Sequence, residues 1–194
     1  LSELAQHGLY SPELEHDSCG VGVVANIKGE KSHQIIIESL QVLVNLGHRG
    51  ACGCDPETGD GAGILVQMPH QFFRKECSRL GIALPSPGEY GVGMVFLPPQ
   101  PQAEARCQAL VEQVVADEGL ELLGWRDVPI DPSKLGREAR RVQPRIRQVF
   151  IGRGRQTHDP AQLERKLYVV RKVIEHSLKD CGLSVEEADY FYIC

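Results

Sequence analysis

A cysteine near the start of the chain has the surroundings of a catalytic nucleophile. Cys19 lies between an acidic leader (residues 1–18) and an apolar segment, and two glycines within the next three residues leave room for a substrate. An adjacent base can activate such a thiol. The cysteine's own α-amine can be that base, but an internal cysteine has only an amide nitrogen, so this chemistry requires cleavage before Cys19. The alternative is a buried cysteine in a strand, because free cysteines are among the most buried residues.

Two glycine-rich motifs follow this cysteine and also carry charged side chains. Arg49 and Gly50 lie in residues 47–51 (GHRGA), and Asp60 lies in residues 58–65 (TGDGAGIL). An arginine next to glycines can approach a carboxylate or lower the pKa of a nearby thiol. Arg49 can equally be an exposed loop charge, and its sequence alone does not decide between the two.

Hydrophobic periodicity and turn residues predict the elements that must position these side chains. We expect helices near residues 32–46, 70–80 and 102–118, and another that begins after Asp159, where Pro160 and Gln162 complete a helix-start pattern. In the first helix one face is expected to carry Ile36, Leu40, Leu43 and Val44. Strands are predicted at residues 20–27, 62–68, 90–97, 120–128, 145–151 and 189–194. The last strand has no partner after it, which suggests a truncated domain.

Composition limits the possible classes of protein. The chain has 194 residues with 42% hydrophobic content, which is enough to form a sizeable core. Of its net charge of −5, the leader contributes four acidic side chains and no lysine or arginine. Residues 1–18 lack the basic start and apolar core of a secretory signal, and no apolar run is long enough to span a bilayer. Seven irregularly spaced cysteines predict a reducing compartment, hence a cytoplasmic protein, or a plastid one in a eukaryote.

The other glycine and cysteine patterns in the sequence are weak evidence for a binding site. Residues 20–25 (GVGVVA) match the dinucleotide-binding pattern, but no strand precedes the glycines and no helix begins at the third small residue. The pair Cys52 and Cys54 lacks the spacing of a zinc site and has no second pair. Cys107 and Cys181 fall on apolar faces of predicted helices and are expected to be core residues.

In combination, the motifs resemble one known family. Residues 8–12 (GLYSP), 15–22 (EHDSCGVG), 48–51 (HRGA) and 58–65 (TGDGAGIL) are similar to the start of the glutamate synthase large subunit. Residues 67–73 (QMPHQFF) and 90–98 (YGVGMVFLP) are similar to the same family. The resemblance covers essentially the whole chain, and its ordered motifs are far more specific than any single glycine pattern.

The resemblance implies a class II glutamine amidotransferase domain with an α+β fold. This is the four-layer α/β/β/α N-terminal nucleophile hydrolase sandwich, here C-terminally truncated. It implies that residues 1–18 are a propeptide and that residues 19–194 are the N-terminal part of the domain. Cys19 would be the nucleophile, with its freed α-amine as the base. Arg49 and Gly50 match the loop beside the nucleophile and would support it electrostatically, whereas the Asp60 loop is expected to be structural.

The same resemblance implies partners and cofactors outside this stretch. The substrate would be L-glutamine, and the ammonia released would pass to downstream synthase domains that convert 2-oxoglutarate to glutamate. FMN and an iron–sulfur cluster would belong to those domains, and no cofactor or metal is expected in this fragment. A small electron-donating subunit or ferredoxin would supply electrons, and the sequence does not choose between them. Because the oxyanion hole and the groups that hold the substrate lie downstream in this family, we expect the fragment alone to be inactive.

Two rival functions remain open at this stage. One is the glutaminase half of another class II amidotransferase, of the amidophosphoribosyl or hexosamine type. The other is a non-enzymatic binding module built on residues 134–155. That stretch has one acid, Glu138, and eight basic residues: Lys134, Arg137, Arg140, Arg141, Arg145, Arg147, Arg153 and Arg155. It lacks the interleaved aromatic residues that single-stranded nucleic acid stacks on, so we do not expect nucleic acid as a partner. The nearly neutral charge of the chain after residue 18 gives no drive toward an anionic membrane either.

Overall fold

The computed structural model describes residues 20–50, 57–59, 61–155, 157 and 159–194, with the backbone alone at Arg49. The chain divides into two compact units. The first comprises Leu1–Gln67 with Lys134–Ala139, and the second comprises Met68–Ser133 with Arg140–Cys194. Within the described residues, no helix is long and apolar enough to cross a membrane.

The second unit is an antiparallel sheet with helices. In chain order its elements are α2 (His70–Arg79), β1 (Tyr90–Leu97), α3 (Pro101–Asp117), β2 (Glu121–Asp127), β3 (Arg145–Gly152), α5 (Pro160–Ser177), α6 (Val185–Ala188) and β4 (Tyr192–Ile193). The short helix α4 (Arg137–Arg141) lies across the division between the units. The strand order in the sheet is β2-β3-β1-β4. In the long central pairing, Tyr90 is opposite Gly152 and Leu97 is opposite Arg145.

Two apolar clusters lie on opposite faces of this sheet, because successive strand residues point to opposite sides. On one face, α3 and α5 pack against the strands through the larger cluster, which includes Val95, Leu97, Val111, Val149 and Ile174. On the other face, Phe73 and Cys77 of α2 pack against Tyr90 and Phe150. The rings of Phe73 and Phe150 meet edge to face at 5.3 Å. The described part of the chain therefore has an α+β fold with helices on both faces of one sheet.

Local signals place the long helices where the sequence predicted them. Asp159 caps α5 by accepting a hydrogen bond from the Gln162 amide at 2.7 Å, and Pro160 occupies the first turn. Gly91 lets α5 approach β1, since a β-carbon at this position would lie 2.4 Å from Leu167 Cδ1. Cys107 is fully buried in the larger cluster, as expected. Cys181 is half-buried and follows a short 3₁₀ helix after α5, so its predicted place on a helix face is wrong.

The described part of the first unit contains one long helix. Helix α1 (His33–Asn45) follows Ser32 and continues into a 3₁₀ turn, Leu46–Arg49. Before it, the chain turns at residues 27–29, where Asn26 Oδ1 accepts from the Lys28 amide and Gly29 has a φ of 72°.

Three strand predictions need correction. Residues 20–27 and 62–68 contain no strand, although both are apolar enough to be one. A strand exists only when a neighbour completes its hydrogen bonds, and the described residues supply none for these segments. The predicted strand at 189–194 shrinks to Tyr192–Ile193, because the preceding residues complete the turn after α6. A second sheet, which a four-layer sandwich requires, is not found among the described residues.

Candidate active site

The residues proposed for catalysis lie mostly outside the described part of the chain. This holds for Cys19 and Asp60, and for Arg49 only the backbone is described, as the last residue of the 3₁₀ turn. Gly50 is described and follows that turn, with its amide donating to the Gly47 carbonyl at 3.3 Å. The distances between the thiol, the guanidinium and the carboxylate therefore remain predictions.

What the structure does describe is the framework on either side of these residues. Gly22 lies against α1 and Gly20 against the first residue of the 3₁₀ turn that follows it. A β-carbon on Gly22 would be 2.4 Å from Val42 Cγ1, and one on Gly20 would be 2.8 Å from Leu46 Cδ2. The intervening Val21 points away and is 87% exposed. The two glycines therefore face the helix end, while the side chain between them faces solvent.

The end of α1 carries the turn that contains Arg49. A hydrogen bond joins His48 Nδ1 and the Asn45 carbonyl oxygen at 2.9 Å, so the imidazole donates from Nδ1 to the last turn of the helix. This bond fastens the turn to α1 immediately before Arg49. All four residues of the predicted apolar face lie in α1, although Leu40 and Val44 are exposed. Residues 20–22 instead contact Val42 and, in the turn after the helix, Leu46.

The contacts of Gly20 with Leu46 and of Gly22 with Val42 were not predicted from the sequence, although the sequence contains a signal for them. Glycine alternates with valine in residues 20–23, which is the pattern of a segment that is flat on one side. Val42 and Leu46 are four residues apart and so share a helix face. Matching these two spacings would have suggested the contact.

The second unit contains titratable groups that are buried and chemically quiet. Burial raises the pKa of the Cys107 thiol to about 12, with a smaller contribution from nearby Cys181. Burial also raises the pKa of Cys77 and of Tyr90, whose hydroxyl lies 3.0 Å from His70 Nδ1. A raised pKa keeps a thiol protonated at neutral pH, so Cys77 and Cys107 are poor nucleophiles.

At least four of the eight basic residues in the stretch 134–155 form ion pairs, which disfavours the binding-module alternative. Arg147 Nε lies 2.9 Å from Asp127 and Arg153 lies 2.7 Å from Glu89. Arg145 contacts both Glu104 and Asp127, and Arg137 contacts Glu138. Carboxylates that neutralise these arginines leave less positive charge for a polyanion.

The described residues offer neither a metal site nor a groove with reactive side chains. The described residues contain no group of three or more histidines, cysteines or acids able to hold a metal ion. One groove of about 410 Å³ lies along α5, lined by Tyr168, Val169, Lys172, Val173, His176 and Ser177. No acid or cysteine lines it, and all its residues belong to one helix.

Comparison with known proteins shows the class to which the chain belongs. The sequence model of the class II glutamine amidotransferases matches residues 19–194. The chain is therefore a member of the class II glutamine amidotransferase family.

Within that family, the chain is similar to glutamate synthases. It is 46% identical over 169 residues to the glutamate synthase (NADPH) large chain of Bacillus subtilis (strain 168), covering 87% of this chain and 11% of the relative. It is 40% identical over 180 residues to the chloroplastic ferredoxin-dependent glutamate synthase of Oryza sativa subsp. japonica, covering 93% of this chain and 11% of the relative. It is 39% identical over 191 residues to the glutamate synthase (NADH) of Schizosaccharomyces pombe, covering 96% of this chain and 9% of the relative. The chain thus spans about a tenth of the length of these relatives.

Proposed function

We propose that this chain is the ammonia-generating glutaminase part of a glutamate synthase. The observation that carries the proposal is the family match over residues 19–194, together with three relatives that are all glutamate synthases. The rival amidophosphoribosyl and hexosamine types share the glutaminase half, but none of these three relatives is of either type.

In the proposed mechanism, one residue supplies both nucleophile and base. Cleavage after Ser18 frees the α-amine of Cys19, which has an ordinary pKa of about 8 and takes the thiol proton directly or through water. The thiolate attacks the side-chain amide carbon of glutamine, and the C–N bond breaks as the α-ammonium returns a proton to the leaving nitrogen. Ammonia and a γ-glutamyl thioester result. Water then hydrolyses the thioester, which releases glutamate and regenerates the thiol.

The supporting roles follow from the same motifs. The Arg49 guanidinium favours the thiolate electrostatically, because a nearby positive charge lowers a thiol's pKa. Gly50 allows close approach of the backbone beside it, and the Asp60 loop shapes the neighbouring wall. The family match begins at Cys19, which supports residues 1–18 as a propeptide and residues 19–194 as the start of the domain.

The complete protein would convert the released ammonia further. Ammonia passes to synthase domains of the same polypeptide, where it combines with 2-oxoglutarate and the product is reduced to a second glutamate. FMN and an iron–sulfur cluster belong to those domains. The relatives are named for three donors, NADPH, NADH and ferredoxin, so the donor and any small electron-donating subunit stay open.

We also propose the four-layer sandwich as the fold of the completed domain. The support is the exposed apolar character of two segments in the first unit. Val21 is 87% exposed, Val23 is 86% exposed, and Ile27 and Leu65 are fully exposed. Apolar side chains at such density mark surfaces that other parts of a protein cover.

The function is tested in the full-length natural protein with two nitrogen sources. Cys19→Ala is expected to lower glutamine-dependent glutamate formation at least about 1,000-fold, because the nucleophile is lost. Ammonia-dependent formation should persist, since free ammonia bypasses the missing step. Cys194→Ala, at an exposed cysteine outside the proposed site, is the matched control and should leave both activities unchanged. Glutamine-dependent activity in Cys19→Ala would contradict the proposal.

Processing is checked by the intact mass of the same protein. The mature chain should begin at Cys19. An active enzyme that retains residues 1–18 would contradict the α-amine mechanism. The isolated 194-residue chain should hydrolyse glutamine little or not at all, because removing even one oxyanion donor typically costs about 100- to 1,000-fold.

A further inference from the structure

We infer that Val42 and Leu46 are positioning residues, which hold the nucleophile in place through the backbone of Gly20 and Gly22. This inference rests on the proposed function of Cys19. Cys19 is joined to Gly20 by one peptide bond, so the contacts that fix Gly20 also restrict the positions open to the thiol-bearing residue. The contact therefore acts on Cys19 without touching the substrate.

The two spacings across this contact match. Residues two apart in an extended chain are separated by about 6.6 Å. Residues four apart in an α-helix are separated along the axis by about 6 Å. Gly20 meets Leu46 while Gly22 meets Val42, so the segment runs antiparallel to α1 with both pairs in register. Two contacts in register fix the segment against sliding, which one contact alone would not do.

The glycines are required because the approach leaves no space for a β-carbon. At Gly22 that carbon would lie 2.4 Å from Val42 Cγ1, far inside the ordinary carbon–carbon contact of about 3.5 to 4.0 Å. Valine has one strongly preferred rotamer in a helix, so Val42 does not turn aside cheaply. At Gly20 the nearest atom is the flexible end of Leu46, at 2.8 Å. Gly22 is therefore the more sensitive position.

The same helix end also positions the proposed supporting arginine. Leu46, which contacts Gly20, is the first residue of the 3₁₀ turn that ends at Arg49. His48 fastens that turn to the Asn45 carbonyl. Gly20, which follows Cys19 in the sequence, and the backbone of Arg49 are thus both attached to the C-terminal end of α1, one through a packing contact and the other through the chain. A shift of residues 20–22 along the helix changes the separation between Gly20 and the backbone of this turn.

The test is a double-mutant cycle in the full-length natural enzyme. Gly22→Ala is expected to lower kcat for glutamine about 100-fold with little change in KM, because a displacement of about 1 Å costs that much at a catalytic centre. Adding Val42→Ala removes the clashing methyl and should recover most of the loss. Val44→Ala is the matched control, a valine of the same helix that is 71% exposed, and should have no effect.

Further readouts distinguish positioning from a loss of folding. Ammonia-dependent activity should be unchanged in every variant. If Gly22→Ala yields no folded protein, Leu46→Ala replaces it, because it leaves Gly20 without its contact. Leu46→Ala should lower kcat about tenfold and shift the pH profile of Cys19 alkylation by iodoacetamide. Full glutamine-dependent activity in Gly22→Ala or Leu46→Ala, or a loss that Val42→Ala does not recover, would overturn the inference.

The inference and the proposed function fail in different ways. If Cys19→Ala keeps glutamine-dependent activity, the proposed function is wrong whatever the glycine variants do. If Cys19→Ala is inactive with glutamine while Gly22→Ala and Leu46→Ala behave as wild type, only the positioning role is wrong.

Discussion

Alkaline pH is expected to destabilise the second unit through one buried thiol. Cys107 has no exposed surface, and its pKa is raised from 9.0 to about 12, first by burial and second by the nearby Cys181 thiol. In the unfolded chain the same thiol is in water and titrates near its ordinary pKa. Above that pKa the unfolded chain has lost a proton that the folded chain still binds. The free energy of unfolding must therefore fall as pH rises from about 9 toward about 12.

The size of the effect follows from the pKa difference. Each pH unit inside this window costs about 1.4 kcal/mol for one fully shifted group. Between about pH 9 and pH 11, Cys107 alone should remove about 2 to 3 kcal/mol of unfolding free energy. Cys77 and Tyr90 have raised pKa values too, and they act in the same direction. The contribution of Cys107 to the pH dependence of unfolding is therefore measured as the difference between wild type and Cys107→Ala.

The assay is urea unfolding of the 194-residue chain at a series of pH values. Fluorescence of Trp125 reports it, because this is the single tryptophan of the chain and its indole donates to Glu112 at 2.9 Å. Cys107→Ala should show a flatter fall of unfolding free energy with pH than wild type, whatever its starting stability. Cys194→Ala, at an exposed cysteine, should follow wild type. Parallel curves for Cys107→Ala and wild type would refute the reasoning.

Two further predictions concern the stability of the second unit. Asp159→Ala removes the cap of α5 and should cost about 1 kcal/mol in urea unfolding, whereas Asp159→Asn keeps an accepting oxygen and should cost little; equal losses would exclude a capping role. Gly91→Ala pushes a methyl into Leu167 and should lower the free energy of unfolding by about 1 to 3 kcal/mol. Because Leu167→Ala removes the atoms that clash, the double variant should be more stable than the sum of the two single losses predicts, and additive losses would contradict this contact.

The fold was predictable where the signal is local. Residues 90–97 were expected to be a strand and are β1, because turn residues precede them and apolar side chains fill the run. The start of α5 was recognisable from Asp159 and Pro160, whose capping role depends only on neighbours in the chain. Helix α6 was missed even though Ser184 and Glu187 form a complete capping box. A four-residue helix produces too little periodicity to be noticed without that motif.

Pairing and packing were less predictable because they depend on residues far away in the chain. Residues 20–27 have the composition of a strand, but composition does not say whether a partner is present. Cys19, Arg49 and Asp60 were identified from motifs and resemblance, and their mutual geometry stays a prediction. The contact of Val42 with Gly22 escaped the sequence analysis, since hydrophobic periodicity alone did not show which face of α1 packs there.

The strand order β2-β3-β1-β4 also has a consequence for synthesis on the ribosome. Strand β1 occupies an interior position, yet its partners β3 and β4 come much later in the sequence, with Val95 pairing to Ile193. Until those residues leave the exit tunnel, β1 presents unpaired edges and the apolar side chains of both its faces. Such species are prone to aggregate, and sheets built from distant pairings form slowly. The nascent second unit is thus expected to depend on chaperones until translation passes Ile193.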